Sequence, residues 1–326
     1  MKHIIYCTVN FLEGLYKYIN RPISEWIEDG NNELTIQLYN FIHSPNAIVY
    51  TNESLVVKSK TNPNFKKLFK SGKKTEHRSA DFDLLISDTS QFFTNITHPS
   101  PVFLIDNLES CKEIGHYGAL AYTHENINSS SFLFSQSVEH LTKGRIGNWE
   151  FIKKYRHPFN SLILADAHIL TSKESKENLI GLLLNLLPSK LSIPFDLTII
   201  TDRDVKTNKP TNKELEENEI LNALSSLPYT INLTIIIDKI HDRNFITNYL
   251  WCNSGYGFEL VKNGKINRNT HLTFYPITYN DKNTATNIMF FQPALLHEYK
   301  NTIVGTPEKM GLLTNVVGNR NNRLLH

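Results

Sequence analysis

Hydrophobic positions along the chain fall into short apolar runs, typical of strands, and amphipathic stretches, typical of helices. Amphipathic stretches at residues 11–19 and 34–42 predict two helices in the first half. The strands that apolar runs predict in that half are residues 1–9, 47–50, 83–87, 101–105 and 118–122. Strands that alternate with helices favour an α/β layer in this part of the chain.

The second half repeats this alternation with longer elements. The elements predicted there are a strand at 161–170, a helix at 176–187, a strand at 195–201, a helix ending near 227 and a strand at 231–240. This β-α-β-α-β order predicts an open sheet with helices packed on it.

The length of 326 residues is sufficient for two domains. We expect an N-terminal mixed α/β domain at residues 1–155 and a second α/β domain at residues 156–326. The apolar content of 40% excludes an intrinsically disordered protein. The formal net charge is +2, so a nucleic acid or another anionic partner would have to be bound by a local patch.

The three cysteines, Cys7, Cys111 and Cys252, are far apart in the sequence, which argues against a disulfide scaffold or a structural zinc site. Neither GxGxxG nor GxxxxGK[ST] occurs, and we expect no cofactor and no metal. No apolar stretch is long enough to span a membrane. These features predict a soluble, cytoplasmic protein without a membrane-spanning segment.

The most specific feature follows the strand predicted at 231–240. His241, Arg243, Asn248 and Gly255 stand there at the spacing His-x-Arg-x4-Asn-x6-Gly. If the strand continues, His241 and Arg243 share one face, because side chains two residues apart point the same way. A neutral imidazole can attack phosphorus, and a guanidinium offers parallel donors to phosphate oxygens. Asn248 could hydrogen-bond either group, and Gly255 would let backbone amides approach an anion. The spacing therefore predicts a phosphate-binding corner with an optional nucleophile.

This segment resembles the phospholipase D superfamily, whose motif is His-x-Lys-x4-Asp-x6-Gly-[Gly/Ser], and the resemblance extends over residues 161–275. Arg243 stands where the family has Lys, Asn248 where it has Asp, and Tyr256 where it has a second small residue. The variant is more similar to the phospholipase D-like C-terminal domain of MIT-domain proteins, which is regarded as non-catalytic and as binding phosphorylated lipid headgroups. The resemblance implies a phospholipase D-like α/β domain with a central mixed sheet at residues 156–326.

The resemblance also implies roles for individual residues. The catalytic positions would be His241, Arg243 and Asn248. The phosphate-binding positions would be Arg243, Ser254, Gly255, Gly257, Asp166 and His168. The family's enzymes use two His-x-Lys motifs, whereas this chain has one, so catalysis would need a symmetric dimer.

A basic segment at residues 58–78 is a second candidate surface, because it contains a single acidic residue, Glu76. The residues expected to bind nucleic acid there are Lys66, Lys67, Lys70, Lys73, Lys74 and Arg78. Phe65 and Phe69 lie among them and could stack on bases. Alternatively, the segment is a solvated loop with both phenylalanines docked in the core.

These features predict a protein that binds a phosphate or phosphodiester group with weak or no catalysis. Nucleic acid is the preferred ligand because of the basic segment. Analogy of fold suggests a subunit of a bacterial antiviral defence or DNA-transaction complex, with other protein subunits or a second copy as partners. One alternative is an active, metal-independent phosphodiesterase (a nuclease) that forms a phospho-His241 intermediate in a dimer. Another is a non-catalytic structural or anionic-lipid-binding partner protein.

Overall fold

The computed structural model of the chain describes residues 3–21, 32–44, 46–66, 76–127, 133–202, 213–238, 240–276, 295–303, 316–318 and 321–325. The chain divides into two compact units, Met1–Ser135 (unit 1) and Gln136–His326 (unit 2). Both combine helices with sheets, which confirms the predicted α/β class. The boundary lies earlier than the expected 155–156, because residues 137–141 pair with the sheet of unit 2.

Unit 1 is built on a five-stranded parallel sheet with the strand order β3-β2-β1-β4-β5. Its strands are β1 (His3–Cys7), β2 (Ala47–Thr51), β3 (Glu76–Ser79), β4 (Val102–Leu104) and β5 (Leu120–Tyr122). Its helices are α1 (Val9–Ile19), α2 (Asn32–Ile42), α3 (Leu55–Thr61), a 3-10 helix (Pro63–Lys66), α4 (Phe82–Ser87), α5 (Thr89–Thr94) and α6 (Leu108–Gly115). Both predicted helices are confirmed, as are all the predicted strands of this half except the one at residues 83–87.

Residues 83–87 form helix α4, so the prediction of a strand there is wrong. Asp81 begins the helix, because its carboxylate accepts a hydrogen bond from a backbone N–H three residues on, at 2.9 Å. Phe82 and Leu85 are buried three residues apart, whereas Ile86 is exposed. The apolar run therefore follows the helical period and not the alternation of a strand.

Unit 2 contains an eight-stranded mixed sheet, in the order β15-β9-β8-β7-β10-β11-β14-β6, and a two-stranded hairpin, β12-β13. Its strands are β6 (Ser137–Leu141), β7 (Ser161–Asp166), β8 (Phe195–Thr201), β9 (Ile231–Ile237), β10 (Arg243–Thr247), β11 (Leu250–Ser254), β12 (Val261–Lys262), β13 (Lys265–Ile266), β14 (Thr270–Pro276) and β15 (Val316–Val317). Its helices are a 3-10 helix (Trp149–Tyr155), α7 (Lys173–Leu186), α8 (Lys213–Ala223), an α-helix at residues 295–303 and a 3-10 helix (Arg323–Leu325). Across the part of the chain that the structure describes, no helix is long and apolar enough to cross a membrane.

The sheet of unit 2 changes direction at one point. Strands β7, β8 and β9 are parallel, whereas β10 pairs antiparallel with β7. Every residue of β7 and β8 is buried, as expected for parallel strands covered on both faces. Because of the antiparallel pairing, the end of β7 lies beside the start of β10, with Asp166 opposite Arg243.

Asn178 of α7 joins three separate parts of unit 2. Its side chain is buried, and Oδ1 accepts hydrogen bonds from the indole of Trp149 (3.2 Å) and from the backbone N–H groups of Leu260 (3.1 Å) and Val261 (2.8 Å). Its amide nitrogen donates to the carbonyl oxygens of Glu174 and Val261. One side chain therefore fixes α7 against the 3-10 helix at Trp149 and the segment that leads into β12.

We expect Asn178→Ala to lower the free energy of unfolding by about 3 kcal/mol or more, because three buried donors would lose their acceptor. Urea unfolding followed by tryptophan fluorescence measures this loss. Asn185→Ala in the same helix is the control, because that amide makes one hydrogen bond, to the carbonyl of Gly181, and should cost about 1 kcal/mol. An equal loss in the two variants would contradict the role assigned to Asn178.

Candidate phosphate-binding site

Asp166 is the last residue of β7 and has a buried carboxylate. One carboxylate oxygen accepts a hydrogen bond from the backbone N–H of His168 at 2.9 Å, and the other accepts one from Phe258 N–H at 2.7 Å. Burial raises the pKa of this carboxyl above its ordinary value, while these hydrogen bonds and the nearby Arg243 lower it by less. Asp166 therefore anchors the loop that follows β11 to the end of β7.

Gly257 of that loop packs directly against the Asp166 carboxylate. Its φ is +88°, and a Cβ on this residue would lie 2.6 Å from Asp166 Oδ2. Its carbonyl accepts a hydrogen bond from Ser254 Oγ at 2.5 Å. Both the backbone conformation and the close approach therefore require glycine at this position.

Arg243 begins β10 and is half-buried. Its guanidinium donates to the carbonyl oxygen of Gly255 at 3.5 Å. That long contact is the one hydrogen bond its side chain makes within the described ranges. We call the group formed by Asp166, His168, Arg243, Gly255 and Gly257 the Arg243 corner. The structure thus brings together the predicted phosphate-binding residues, with Ser254 supporting the loop.

The loop also carries backbone donors that are not used. In the described part of the chain, the N–H groups of Tyr256 and Gly257 make no hydrogen bond. Successive unused backbone N–H groups can bind an anion when they point the same way. The corner therefore combines a fixed positive charge with two backbone donors that have no partner in the described residues.

Four further side chains lie beside the corner or against a side chain that does. Tyr256 is 57% exposed, and the Arg268 guanidinium lies 5.8 Å from the centre of its ring. The imidazole of His271 lies next to Gly255. A Cβ added to that glycine would be 3.6 Å from His271 Cε1, an ordinary van der Waals distance. His140 faces His271 from the neighbouring strand, with 6.5 Å between the ring centres. The sequence drew attention to Tyr256 because it stands where the resembled motif has a small residue. No motif spacing predicted that Arg268 or His271 would lie near the corner.

His241 does not share a strand face with Arg243. Strand β9 ends at Ile237 and β10 begins at Arg243, so His241 lies between the two strands and is exposed. The expectation of one continuous strand from 231 to 240, with the motif on its extension, is therefore wrong. His241 makes no hydrogen bond to any described residue.

Asn248 lies at the opposite end of β10 from Arg243. It is five residues further along, which corresponds to ~17 Å of strand. Its side chain is 1% exposed, and Oδ1 accepts hydrogen bonds from the backbone N–H groups of Asn160 and Ser161, both at 3.0 Å. Its amide nitrogen donates to Asn160 Oδ1 at 3.1 Å. Asn248 thus joins the turn after β10 to the start of β7, and the structure does not bring it into the corner.

The described part of the basic segment contains two of its predicted binding residues. Lys66 is exposed at the end of the 3-10 helix, and Arg78 is exposed on β3. Phe65 is fully buried with its ring 5.5 Å from Tyr16, so for this residue docking in the core is confirmed. Phe69 lies outside the described residues. So do the other four residues predicted to bind nucleic acid: Lys67, Lys70, Lys73 and Lys74.

No group of three or more His, Cys, Asp or Glu side chains that could hold a metal ion occurs in the described ranges. The three cysteines are buried and unpaired. Burial raises the pKa of the Cys7 and Cys252 thiols well above the ordinary value, so neither is suited to act as a thiolate nucleophile.

The chain matches no model of a known protein family, and a comparison with curated proteins found no match.

We expect Gly257→Ala to lower the free energy of unfolding of unit 2 by about 2 kcal/mol or more, because it adds a clash with the Asp166 carboxylate to the strain of a positive φ. Chemical denaturation measures the loss. Gly264→Ala is the matched control: its φ is +69°, but nothing lies within 4 Å of a Cβ there. This control should lower the free energy of unfolding by only about 1 kcal/mol, the cost of a positive φ. Equal losses would show that the approach to Asp166 is unimportant.

Proposed function

We propose that unit 2 binds a phosphodiester group of single-stranded nucleic acid at the Arg243 corner, as a phospholipase D-like phosphate-binding protein with weak or no catalysis. The observation that carries this proposal is the half-buried guanidinium of Arg243 next to the unused backbone donors of Tyr256 and Gly257. A subunit role in a bacterial defence or DNA-transaction complex stays a prediction from analogy.

Phosphate fits this corner for electrostatic and geometric reasons. A guanidinium keeps its charge at all working pH values and presents a planar set of donors to phosphate oxygens. Gly255 and Gly257 have no side chain to block an approaching anion. The nearby Asp166 carboxylate is buried and its two oxygens already accept backbone hydrogen bonds, which reduces its repulsion of a ligand.

Tyr256 favours nucleic acid over inorganic phosphate. Its ring is exposed directly beside the corner, and Arg268 lies against the ring. An exposed aromatic ring next to a phosphate contact is the arrangement by which proteins stack a base and hold its backbone without reading sequence. A single strand suits this arrangement because its bases are free to stack.

Binding is favoured over catalysis by the position of the candidate nucleophile. A nucleophilic imidazole needs a second group that orients it. His241 has no such partner among the described residues, and Asn248 lies at the other end of β10. His271 lies closer to Gly255 and is the imidazole to test first for any residual activity.

We expect Arg243→Gln to weaken binding of a labelled single-stranded oligonucleotide by about 10- to 100-fold, as loss of a charge-assisted contact predicts. Fluorescence anisotropy at several salt concentrations in EDTA measures this. The slope of log affinity against log salt should also fall by about 0.7, the value for one phosphate contact on a single strand. Lys190→Gln removes a positive charge from an exposed residue before β8, at the end of the parallel strands away from the corner, and should leave affinity unchanged. If Arg243→Gln binds like the native protein, the proposed site is wrong.

We expect Tyr256→Ala to weaken oligonucleotide binding by about 5- to 100-fold, because stacking contributes about 1–3 kcal/mol per base. Binding of an abasic sugar–phosphate strand should not change. The same titrations with Tyr256→Phe keep the ring and should retain most of the affinity. Equal losses on the normal and abasic strands would mean that Tyr256 supports the loop and not a base.

The same mixtures distinguish the alternatives. Cleavage in EDTA that is lost in His241→Ala would support the dimeric phosphodiesterase. Cleavage that is lost in His271→Ala would instead identify His271 as the nucleophile. Uptake by liposomes of anionic composition, reduced in Arg243→Gln and without oligonucleotide binding, would favour the lipid-binding alternative. No binding in any assay would favour the structural partner protein.

A further inference from the structure

Unit 1 contains a cavity of about 160 Å³ that the phosphate-binding proposal does not use. It lies at the carboxyl ends of β1, β2 and β3, where Tyr6, Tyr50 and Ser79 line it. Residues of α4 and of the end of α5 form the facing wall, among them Leu84 and Asn95. The carboxyl ends of the strands are the edge at which open α/β sheets bind ligands.

The hydroxyl of Tyr6 is an unused polar group in this cavity. Tyr6 is 8% exposed, and its ring is stacked between Tyr50 and Phe103, with ring centres 4.8 Å and 4.7 Å apart. Its hydroxyl makes no hydrogen bond within the described part of the chain, yet it is not sealed from solvent. Because this hydroxyl opens into the cavity and makes no bond within the protein, it is available to donate to a ligand atom there. Burial raises the pKa of Tyr6 to about 12, which keeps the hydroxyl protonated as a donor.

Two further side chains with polar groups line the cavity, Asp81 and Asn95. The side-chain oxygen of Asn95 makes no hydrogen bond within the described residues, and the Asp81 carboxylate accepts the N–H of Leu84 with one oxygen and leaves the other open. Ser79 borders the cavity, and the remaining residues of the lining are aromatic or aliphatic. An apolar cleft with a few polar groups is typical of small-molecule sites.

Arg78 provides a positive charge next to the cavity. It is exposed, donates to the hydroxyl of Tyr50 at 3.1 Å, and has its guanidinium 5.8 Å from the centre of that ring. Its neighbours Tyr50 and Ser79 both line the cavity. A ligand that places a ring inside would therefore carry any attached anionic group toward Arg78.

We propose that this cavity binds the base of a pyrimidine nucleotide, with its phosphate near Arg78. A cavity of about 150 Å³ accommodates benzene, so a volume of about 160 Å³ fits a single six-membered ring more closely than the fused rings of a purine. Pyrimidine edges carry both donors and acceptors, which match the hydroxyl of Tyr6, the side-chain oxygen of Asn95 and the Asp81 carboxylate. The base could come from a free nucleotide or from a nucleic-acid strand.

The test measures binding of UMP, CMP, AMP and oligo(rU) to the full-length protein by calorimetry. We expect the pyrimidine nucleotides to bind and AMP to bind at least tenfold more weakly. Tyr6→Phe should weaken UMP binding by about 2- to 12-fold, since it removes one neutral hydrogen bond and keeps the ring. Tyr39→Phe is the matched control, because that hydroxyl does not line the cavity.

Ala80→Leu is the second variant, because Ala80 lines the cavity and a larger side chain would fill it. It should abolish UMP binding while leaving thermal unfolding of the protein near the native temperature. Should Ala80→Leu fail to fold, Tyr6→Phe still decides the matter, because it changes no volume.

The oligonucleotide measurements are made with Arg243→Gln, so that the proposed site of unit 2 does not contribute. UMP binding as tight as that of oligo(rU) would identify a free nucleotide as the ligand, and binding of oligo(rU) alone would identify a strand. If Arg243→Gln leaves the affinity for UMP unchanged, the cavity is a binding site separate from the Arg243 corner. Absence of binding by all pyrimidine probes, or binding unaffected by Tyr6→Phe, would overturn the proposal.

Discussion

A single buried carboxylate sets the geometry of the candidate site in unit 2. Removing the Asp166 charge from water is unfavourable, and the raised pKa reflects that cost. The cost is offset by two backbone N–H groups, from His168 and Phe258, and by the charge of Arg243. Because Phe258 lies in the loop after β11, satisfying the carboxylate fixes that loop at the end of β7. The position of Gly257 and its unused N–H group follow from this one constraint.

A nearly neutral chain can still attract an anion at such a point. Whole-chain charge determines the long-range field, whereas a half-buried guanidinium acts locally and is screened less by salt. Within the Arg243 corner, the one acidic side chain is the Asp166 carboxylate, which is already engaged by backbone donors. Arg268 and the imidazole of His271 lie beside it. Local arrangement, and not composition, therefore determines what this surface can bind.

The apolar runs predicted the buried strands well, because a strand covered on both faces has an almost continuous hydrophobic sequence. Strand β8 has the predicted bounds, and the predicted strand at 161–170 begins where β7 does. Polar edge strands such as β3 lacked this signal. The site was predicted in part, because the spacing of Arg243 and Gly255 located the corner. The break between β9 and β10 was not predicted, because Ile240 extends the apolar pattern past the polar pair Asp238 and Lys239. Contacts such as that of His271 with Gly255 depend on strand pairing, which a local pattern does not contain.

The asparagine at position 248 suits its buried turn better than an aspartate would. Its side chain accepts hydrogen bonds from two backbone N–H groups and donates one to Asn160 Oδ1. An aspartate could accept the first two but could not donate the third, and its charge would be buried. The amide is therefore the better group for this buried turn. An aspartate in the resembled motif serves to orient a nucleophilic imidazole, but at this position, five residues beyond Arg243, it would be at the wrong end of the strand. If Arg243 binds phosphate as proposed, it does so without that orienting charge, which is the combination expected of a binding site and not of a phosphoryl-transfer enzyme.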